Sequence, residues 1–339
     1  EYPTFNDVIF GDYCIRLMKS SDYNDVWNMC HNMYSTQDYV HVSFYRILNN
    51  NKCIFFCVEY LPLKQVIGCQ VITIMDNNKT AFIWGVRIHP DYQGRNIFQT
   101  FSSYIALWLT KNTKCIRWRV TTLSANKPMI TIYKKQGFNI RNKLYSFLYV
   151  TQIDTDKIKW KLVKNTGSAF HVDTFQDRMK QFGCDICHGE LKEISDVRLV
   201  IELLIKYGKK ELHFLDWKVY DLNLDRKSVK ECHNVLYNDW NDGRFKAFVC
   251  NDNNAFGMWY KDERKNVEQI CVYGNNQNDI LMVLNEMFIE WKTKYQDRND
   301  QTLYIFIDND DATNGSKLSK LIQNVAVLVT KERYLESMK

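Results

Sequence analysis

Two stretches of this chain hold residue types that chemistry can use. The first runs Ile83, Trp84, Gly85, Val86, Arg87, Ile88, His89, Pro90, Asp91, Tyr92, Gln93, Gly94, Arg95, Asn96, Ile97 and Phe98. Strand-forming residues give way to Pro and Gly, and an apolar helical pattern follows. The spacing predicts a strand, a turn and a helix start. The first turn of a helix leaves backbone N–H groups unpaired and carries the positive end of its dipole. Such a place suits a phosphate, and small residues let the anion approach the backbone. A plain strand-to-helix turn has the same pattern.

The second stretch is Asn126, Lys127, Pro128, Met129, Ile130, Thr131, Ile132, Tyr133, Lys134, Lys135, Gln136, Gly137 and Phe138. It reads as a short helix stopped by Gly137 and feeding a strand. Tyr133 lies one turn before that stop. On residue type alone it is a packing ring with its hydroxyl at the rim.

Charge is unevenly spread. Residues 1–160 carry 19 Lys/Arg against 11 Asp/Glu, and residues 161–339 carry 26 against 28. No acid lies between Asp91 and Asp154, whereas ten Lys/Arg do. The first half is built to meet an anion, either a small polyphosphate or nucleic acid. Lys114, Arg117 and Arg119 alternate on a strand, so some of them are candidates to face a ligand groove. No RNP, zinc-finger or helix-turn-helix pattern accompanies them, and no nucleic-acid partner is expected.

The elements that must position these stretches follow from periodicity. In the first half we expect a strand at Cys14–Met18. A helix capped by Ser20 or Ser21 follows to about Met33, with Val26, Met29 and Cys30 on one face, and a second runs from about Asp38 to Leu48. Strands are expected at Lys52–Tyr60, Gln65–Met75 and Thr80–His89, with a hairpin turn at Asp76–Lys79. A long helix spans about Gly94–Lys111. Strand Cys115–Leu123, helix Lys127–Gln136 and strands near Phe138–Ile140 and Leu144–Val150 complete it. In the second half an irregular helical entry over Thr174–Tyr207 leads to strand Glu211–Tyr220 and helix Ser228–Trp240. Strands Arg244–Cys250, Ala255–Tyr260 and Val267–Val272 come next. A long helix at Asn278–Lys294, strand Thr302–Ile307, helix Ser316–Ile322 and strand Val325–Val329 close the chain. The second order repeats the first with one helix fewer, which points to two copies of one architecture.

Together the two stretches and this element order resemble the GNAT superfamily of N-acetyltransferases. Its first motif is a strand ending before Pro, then Gln/Arg-x-x-Gly-x-Gly/Ala at a helix start; Gln93 takes the leading place. Its second is Asn-x-x-Ala-x-x-Leu-Tyr-x-x-x-Gly-Phe, matched by Tyr133, Gly137 and Phe138. A narrower likeness rests on Tyr34, Ser35, Thr36, Gln37, Asp38 and Tyr39 with Phe44 and Leu48. It continues through Gly85–Ile88 and Leu215–Tyr220 and is similar to the histidine N-acetyltransferase group.

The resemblance implies an α/β GNAT fold, a mixed and mostly antiparallel twisted sheet flanked by helices. It implies a catalytic domain at residues 1–155 and a degenerate GNAT-like domain at 156–339. Acetyl-CoA would lie where the fourth and fifth strands splay apart. Val86, Arg87 and Ile88 would hold its pantetheine arm. Gln93, Gly94, Arg95, Asn96, Ile97 and Phe98 would hold the pyrophosphate, aided by Asn126, Lys127, Lys134 and Lys135. A small-molecule amine, with the α-amino group of free histidine as the group's suggestion, would attack the thioester directly in a ternary complex. Tyr133 would protonate the leaving thiolate. Asp38, Tyr39 and Trp84 would line the acceptor. No metal is implied. A monomer in the cytoplasm is expected, because a tandem of two domains supplies internally the pairing such sheets make between subunits.

Departures from the motifs set up a second reading. Asn96 stands where the family has Gly, which Asn tolerates better than other side chains do. Phe98 stands where the family has Gly or Ala; it either crowds the pyrophosphate or turns into the core. Lys127 replaces the motif's Asn, with Asn126 adjacent. Trp84 replaces the Glu that many members use to deprotonate the amine, leaving Glu59, Asp38, His89 or solvent as base. His89, before Pro90, is expected to be structural. The alternative is a catalytically impaired protein that binds acyl-CoA or a partner. In the second half Asp279 opposes an anion at its helix start, so that domain is expected to be non-catalytic.

The remaining features are bland. Eleven cysteines have no framework spacing and read as buried thiols in a reducing compartment. Cys184, Cys187 and His188 spell a haem-attachment or zinc half-site pattern, with Cys232 and His233 the one conceivable partner. Asn78 and Asn314 head glycosylation sequons by pattern. No apolar run approaches the roughly 18 residues a membrane span needs. The chain begins at Glu1, which reads as a processed or trimmed form.

Overall fold

The computed structural model describes residues 4–33, 38–123, 126–154, 157–161, 190–207, 213–215, 218–220, 226–250, 254–261, 267–294, 302–308 and 324–332. Cys184, Cys187, His188, Asn314, the expected helix at Ser316–Ile322, and Tyr34–Gln37 and Asp216–Trp217 of the narrower likeness lie outside them. Two compact units divide the chain. The first comprises residues 1–121, 131–140 and 329–339, and the second 122–130 and 141–328. The units are not two consecutive segments.

The first unit is built on strands β1 (Val8–Phe10), β2 (Tyr13–Leu17), β3 (Cys53–Tyr60), β4 (Gln65–Met75), β5 (Thr80–Ile88) and β6 (Arg117–Leu123). They lie in that order, antiparallel except for the β5–β6 pair. Helix α1 (Tyr23–Cys30) buries Val26, Met29 and Cys30, the face its spacing predicts. These side chains pack with Val40, Phe44, Ile47, Cys57, Cys69 and Val71 in one core. Neither Ser20 nor Ser21 caps α1. They form a 3-10 turn instead, and Asp22 accepts from the Lys19 N–H at 2.7 Å.

The expected helix from Asp38 shrinks to α2 (Phe44–Leu48). Asp38 accepts the Val40 N–H at 2.8 Å, a local bond that competes with a helix. The turn at Asp76, Asn77 and Asn78 is left-handed at all three residues, with φ of 53, 55 and 64 degrees. Asp and Asn accept this conformation more readily than other side chains. Helices α3 (Ile97–Asn112) and α4 (Lys127–Lys135) complete the first half.

The strands expected at Phe138–Ile140 and Leu144–Val150 form one long strand, β7 (Asn139–Asp154). The strand runs through the polar Arg141, Asn142 and Lys143, which lie between the two expected strands. Strand β8 (Lys157–Lys161) pairs with β7. In the second unit β7 pairs antiparallel with β15 (Thr302–Asp308), from Leu303↔Val150 to Asp308↔Tyr145. The order continues β14 (Val267–Gly274), β13 (Ala255–Lys261), β12 (Phe245–Cys250) and β9 (Leu191–Glu193). Helices α5 (Val197–Tyr207), α6 (Arg226–Asn241) and α7 (Gln277–Lys294) accompany this sheet. The expected strand Glu211–Tyr220 is a hairpin of β10 (His213–Leu215) and β11 (Lys218–Tyr220), with Leu215 opposite Lys218. Strand β16 (Asn324–Glu332) ends the described chain.

Candidate active site

The site is set by where two parallel strands stop pairing. Strands β5 and β6 pair from Thr80↔Arg117 to Ile83↔Val120. Strand β5 continues to Ile88 and β6 to Leu123. Beyond Ile83 the pairing of β5 with β4 carries a bulge: Cys69 faces Arg87 and Val71 faces Trp84, so Gly85 and Val86 together oppose Gln70. Gly85 has φ +59, a conformation that costs a residue with a Cβ roughly 1–2 kcal/mol. Its extra residue re-aims the strand and ends the parallel ladder.

The chain then turns through Pro90–Tyr92. His89 Nδ1 accepts from the Asp91 N–H at 3.3 Å and shapes this turn, the structural part expected of it. Gln93 Nε2 donates to the Ile88 carbonyl at 3.0 Å, tying the loop to the end of β5. Gly94 and Asn96 are both left-handed, at φ +76 and +58. Asn96 thus adopts the conformation that the expected Gly would supply. The first intrahelical bond of α3 is Thr100 N–H to Asn96 at 3.2 Å, so the N–H groups of Ile97, Phe98 and Gln99 precede the ladder. Phe98 is buried and meets the Tyr133 ring edge-on at 6.2 Å. It turns into the core, which removes the crowding reading. The exposed Arg95 lies over the Tyr92 ring at 5.1 Å.

Tyr133 is positioned by the end of its own helix. Gly137, at φ +80, donates to the Lys134 carbonyl at 2.9 Å, and Phe138 donates to the Tyr133 carbonyl at 3.0 Å. This pair of bonds is a Schellman cap, and its apolar contact is Phe138 against Tyr133 at 5.1 Å. The Tyr133 ring is 1% exposed, and its Oη is buried with no hydrogen-bond partner among the described residues. Burial pushes its pKa well above the ordinary tyrosine value, so the hydroxyl keeps its proton. Asn126 Oδ1 accepts from the Met129 N–H at 3.4 Å at the start of α4, and Lys127 is exposed. Both belong to residues 122–130, assigned to the second unit.

Asp38, Tyr39 and Trp84 come together, and Arg87 joins them. The Tyr39 and Trp84 rings stack at 5.9 Å, and Trp84 Nε1 donates to Thr73 Oγ1 at 2.8 Å. The Arg87 guanidinium sits over the Tyr39 ring at 5.3 Å, and its Nε donates to Asp38 Oδ2. The Asp38 side chain is fully buried. The Arg87 side chain was not foreseen; a charged residue inside an apolar strand was the signal. Glu59 is held by Arg16 at 2.6 Å. Arg119 pairs with Asp76 at 2.6 Å, both buried, and so braces the hairpin turn instead of facing a groove. No helix among the described residues is long and apolar enough to cross a membrane.

Residues 20–138, which hold the bulged strand, the loop and Tyr133, match the acetyltransferase (GNAT) family. The fold is the GNAT fold. A GCN5-related N-acetyltransferase from Sphaerobacter thermophilus shares it at a TM-score of 0.62 and 8% identity, over 96% of this chain and 97% of that one. A tandem GNAT protein from the clavulanic acid biosynthesis pathway does so at 0.59 and 9%, over 96% and 100%. At such identities the likeness is one of fold. The expected GNAT architecture and its second, GNAT-like region are borne out. A search of curated proteins found no match by sequence. In the GNAT second region, helix α7 starts with a closed cap: Asn276 Oδ1 accepts from the Asp279 N–H at 2.9 Å, and Asn276 Nδ2 donates to the Asp279 carboxylate.

Proposed function

We propose that the first region is an acetyl-CoA-dependent N-acetyltransferase acting on a small primary amine. Free histidine, through its α-amino group, is the first acceptor to try. The observation that carries this reading is the end of β5–β6 pairing at Ile83, with β5 running on to Ile88 behind a bulge. A strand edge of this kind takes a pantetheine arm as sheets take an added strand. The left-handed Gly94 and Asn96 and the early N–H groups of α3 fit a pyrophosphate. Phe98, turned inward, leaves that space open.

Acetyl-CoA supplies an activated acyl thioester, and the chain's residues orient it and manage one proton. Tyr133, held protonated by burial, gives its hydroxyl proton to the departing sulfur. The amine nitrogen bonds the acetyl carbon as the carbon–sulfur bond breaks, its own proton passes to solvent, and solvent returns a proton to Tyr133. The side chains available as bases are engaged: Glu59 by Arg16, Asp38 by Arg87 and the Val40 N–H, and His89 by the Asp91 N–H. That engagement, with Trp84 in place of an acid, also supports the alternative, a protein that binds acyl-CoA without turnover.

Calorimetry with acetyl-CoA, followed by thiol release over a panel of free amino acids including histidine, tests both. Binding with thiol release supports the transferase, and the panel names the acceptor class. Binding without release on any amine supports the alternative. Absence of binding removes the transferase and the acyl-CoA-binding protein alike and leaves the fold as a partner-binding module.

A further inference from the structure

We infer that Asp38, Tyr39 and Arg87 form a brace that holds the β5 bulge in shape. In this view they are positioning residues, and Asp38 and Tyr39 are not acceptor contacts. For acyl transfer the brace matters only through the reading proposed above, in which the β5 edge takes the pantetheine arm.

A strand that leaves its neighbour must satisfy its backbone groups some other way. At this bulge side chains do so. The Gly85 N–H donates to Tyr39 Oη at 3.3 Å. The Gly85 carbonyl accepts from Cys69 Sγ at 3.4 Å. The Val86 carbonyl accepts from Arg87 Nη1 at 2.7 Å. The side chains that hold these groups hold one another. Arg87 lies over the Tyr39 ring and pairs with Asp38, and Asp38 spends its other oxygen on the Val40 N–H. Both members of the ion pair are buried, at 7% and 0% side-chain exposure. Removing either partner would strand a buried charge, so the pair is fixed once formed. The Asp38 carboxylate is fully buried with a bond on each oxygen, so it presents no exposed face to an incoming amine. Its use is to orient Arg87, and through Arg87 and Tyr39 the two residues that the bulge inserts.

Tyr39→Phe in the full chain is the discriminating variant. It keeps the ring on Trp84 and under Arg87 and removes the hydroxyl that accepts the Gly85 N–H. Amide hydrogen exchange is measured residue by residue, with acetyl-CoA affinity measured alongside. A lost backbone hydrogen bond of ordinary strength should speed exchange at Gly85 by about five- to tenfold. Amides in β2 should change less than about twofold, because that strand pairs with β1 and β3 and not with the bulge or with β4. Acetyl-CoA affinity should fall several-fold, and in an active protein the KM for the amine should stay unchanged. Unaltered protection at Gly85 overturns the brace, as does an amine KM that rises alone. Arg87→Lys gives a second arm: faster exchange across Val86–Ile88 supports the brace, and wild-type exchange there overturns it. If the wild-type chain binds no acetyl-CoA, the proposed function fails, while the exchange data still decide the brace.

Discussion

The two GNAT-like regions differ most at the same place in their topology. In the first, the parallel pair β5–β6 stops at Ile83↔Val120 and β5 runs on past a bulge at Gly85. In the second, the parallel pair β14–β15 stays in register from Val267↔Thr302 to Tyr273↔Asp308, the last residue of β15 and one short of the end of β14. Strand β14 also pairs with β13 without a register shift from Ala255↔Gly274 to Lys261↔Glu268. Among the described residues, one region's parallel ladder stops five residues before β5 ends, and the other's runs nearly the full length of its strands. The helix starts differ in the same sense. The α3 start offers Gly94 and Asn96 in left-handed conformation, and the α7 start is filled by Asn276 and Asp279. A fold repeated twice interrupts its parallel ladder once, and that interruption is where the proposed site lies.

The sharpest way to break this comparison is to count sites. Calorimetry should find one acetyl-CoA bound per chain. A second binding event would mean that the β14–β15 pair opens in solution.

Next in size is Tyr133→Phe. Losing a general acid should lower turnover by about 10²–10⁴-fold, with acetyl-CoA affinity nearly unchanged. Because burial raises the Tyr133 pKa, its acid form persists as pH rises, so turnover should show no basic limb near the usual tyrosine value. Equal activity of the variant would remove Tyr133 from the mechanism.

Two glycine substitutions set the regions against each other. In Gly257→Ala the new Cβ would overlap Met287 Sδ and lie 3.0 Å from Val283 Cγ1. Overpacking of this kind costs roughly 1–3 kcal/mol, visible in thermal unfolding, and acetyl-CoA affinity should hold. In Gly85→Ala a Cβ enters at φ +59, 3.1 Å from Val71 Cγ2. The strain of roughly 1–2 kcal/mol falls on the bulge, so affinity should drop by about five- to thirtyfold. If the two variants exchange phenotypes, the assignment of the site to the first region is wrong.

The smallest effect belongs to Asn96→Gly. It relieves the positive φ of a residue with a Cβ, a change of under about 1 kcal/mol. Stability should be unchanged or slightly higher and affinity within about twofold. A large loss of affinity would show that the Asn96 side chain itself contacts the ligand.

Much of this was legible locally. Gly137 and Phe138 announced a helix stop, and the cap they form fixes Tyr133 one turn earlier. Asn96 could replace Gly because Asn accepts a left-handed backbone. The α1 face of Val26, Met29 and Cys30 followed from period alone. Other features were not legible. The helix expected from Asp38 failed because that carboxylate bonds the chain beside it and an arginine 49 positions away. Phe98 could equally well have blocked the site; only packing against Tyr133 settled its direction.

By itself the sequence determined the local punctuation: where helices start and stop, which backbone positions turn left-handed, and that Tyr133 precedes a capped end. These depend on φ preferences and on side chains a few residues apart. Tertiary structure alone decided which parallel ladder stops short and which runs on. Ladder pairing, the bulge opposite Gln70 and the burial of Asp38 with Arg87 join residues far apart in the chain, and no local pattern carries the energy of contacts that only folding brings together.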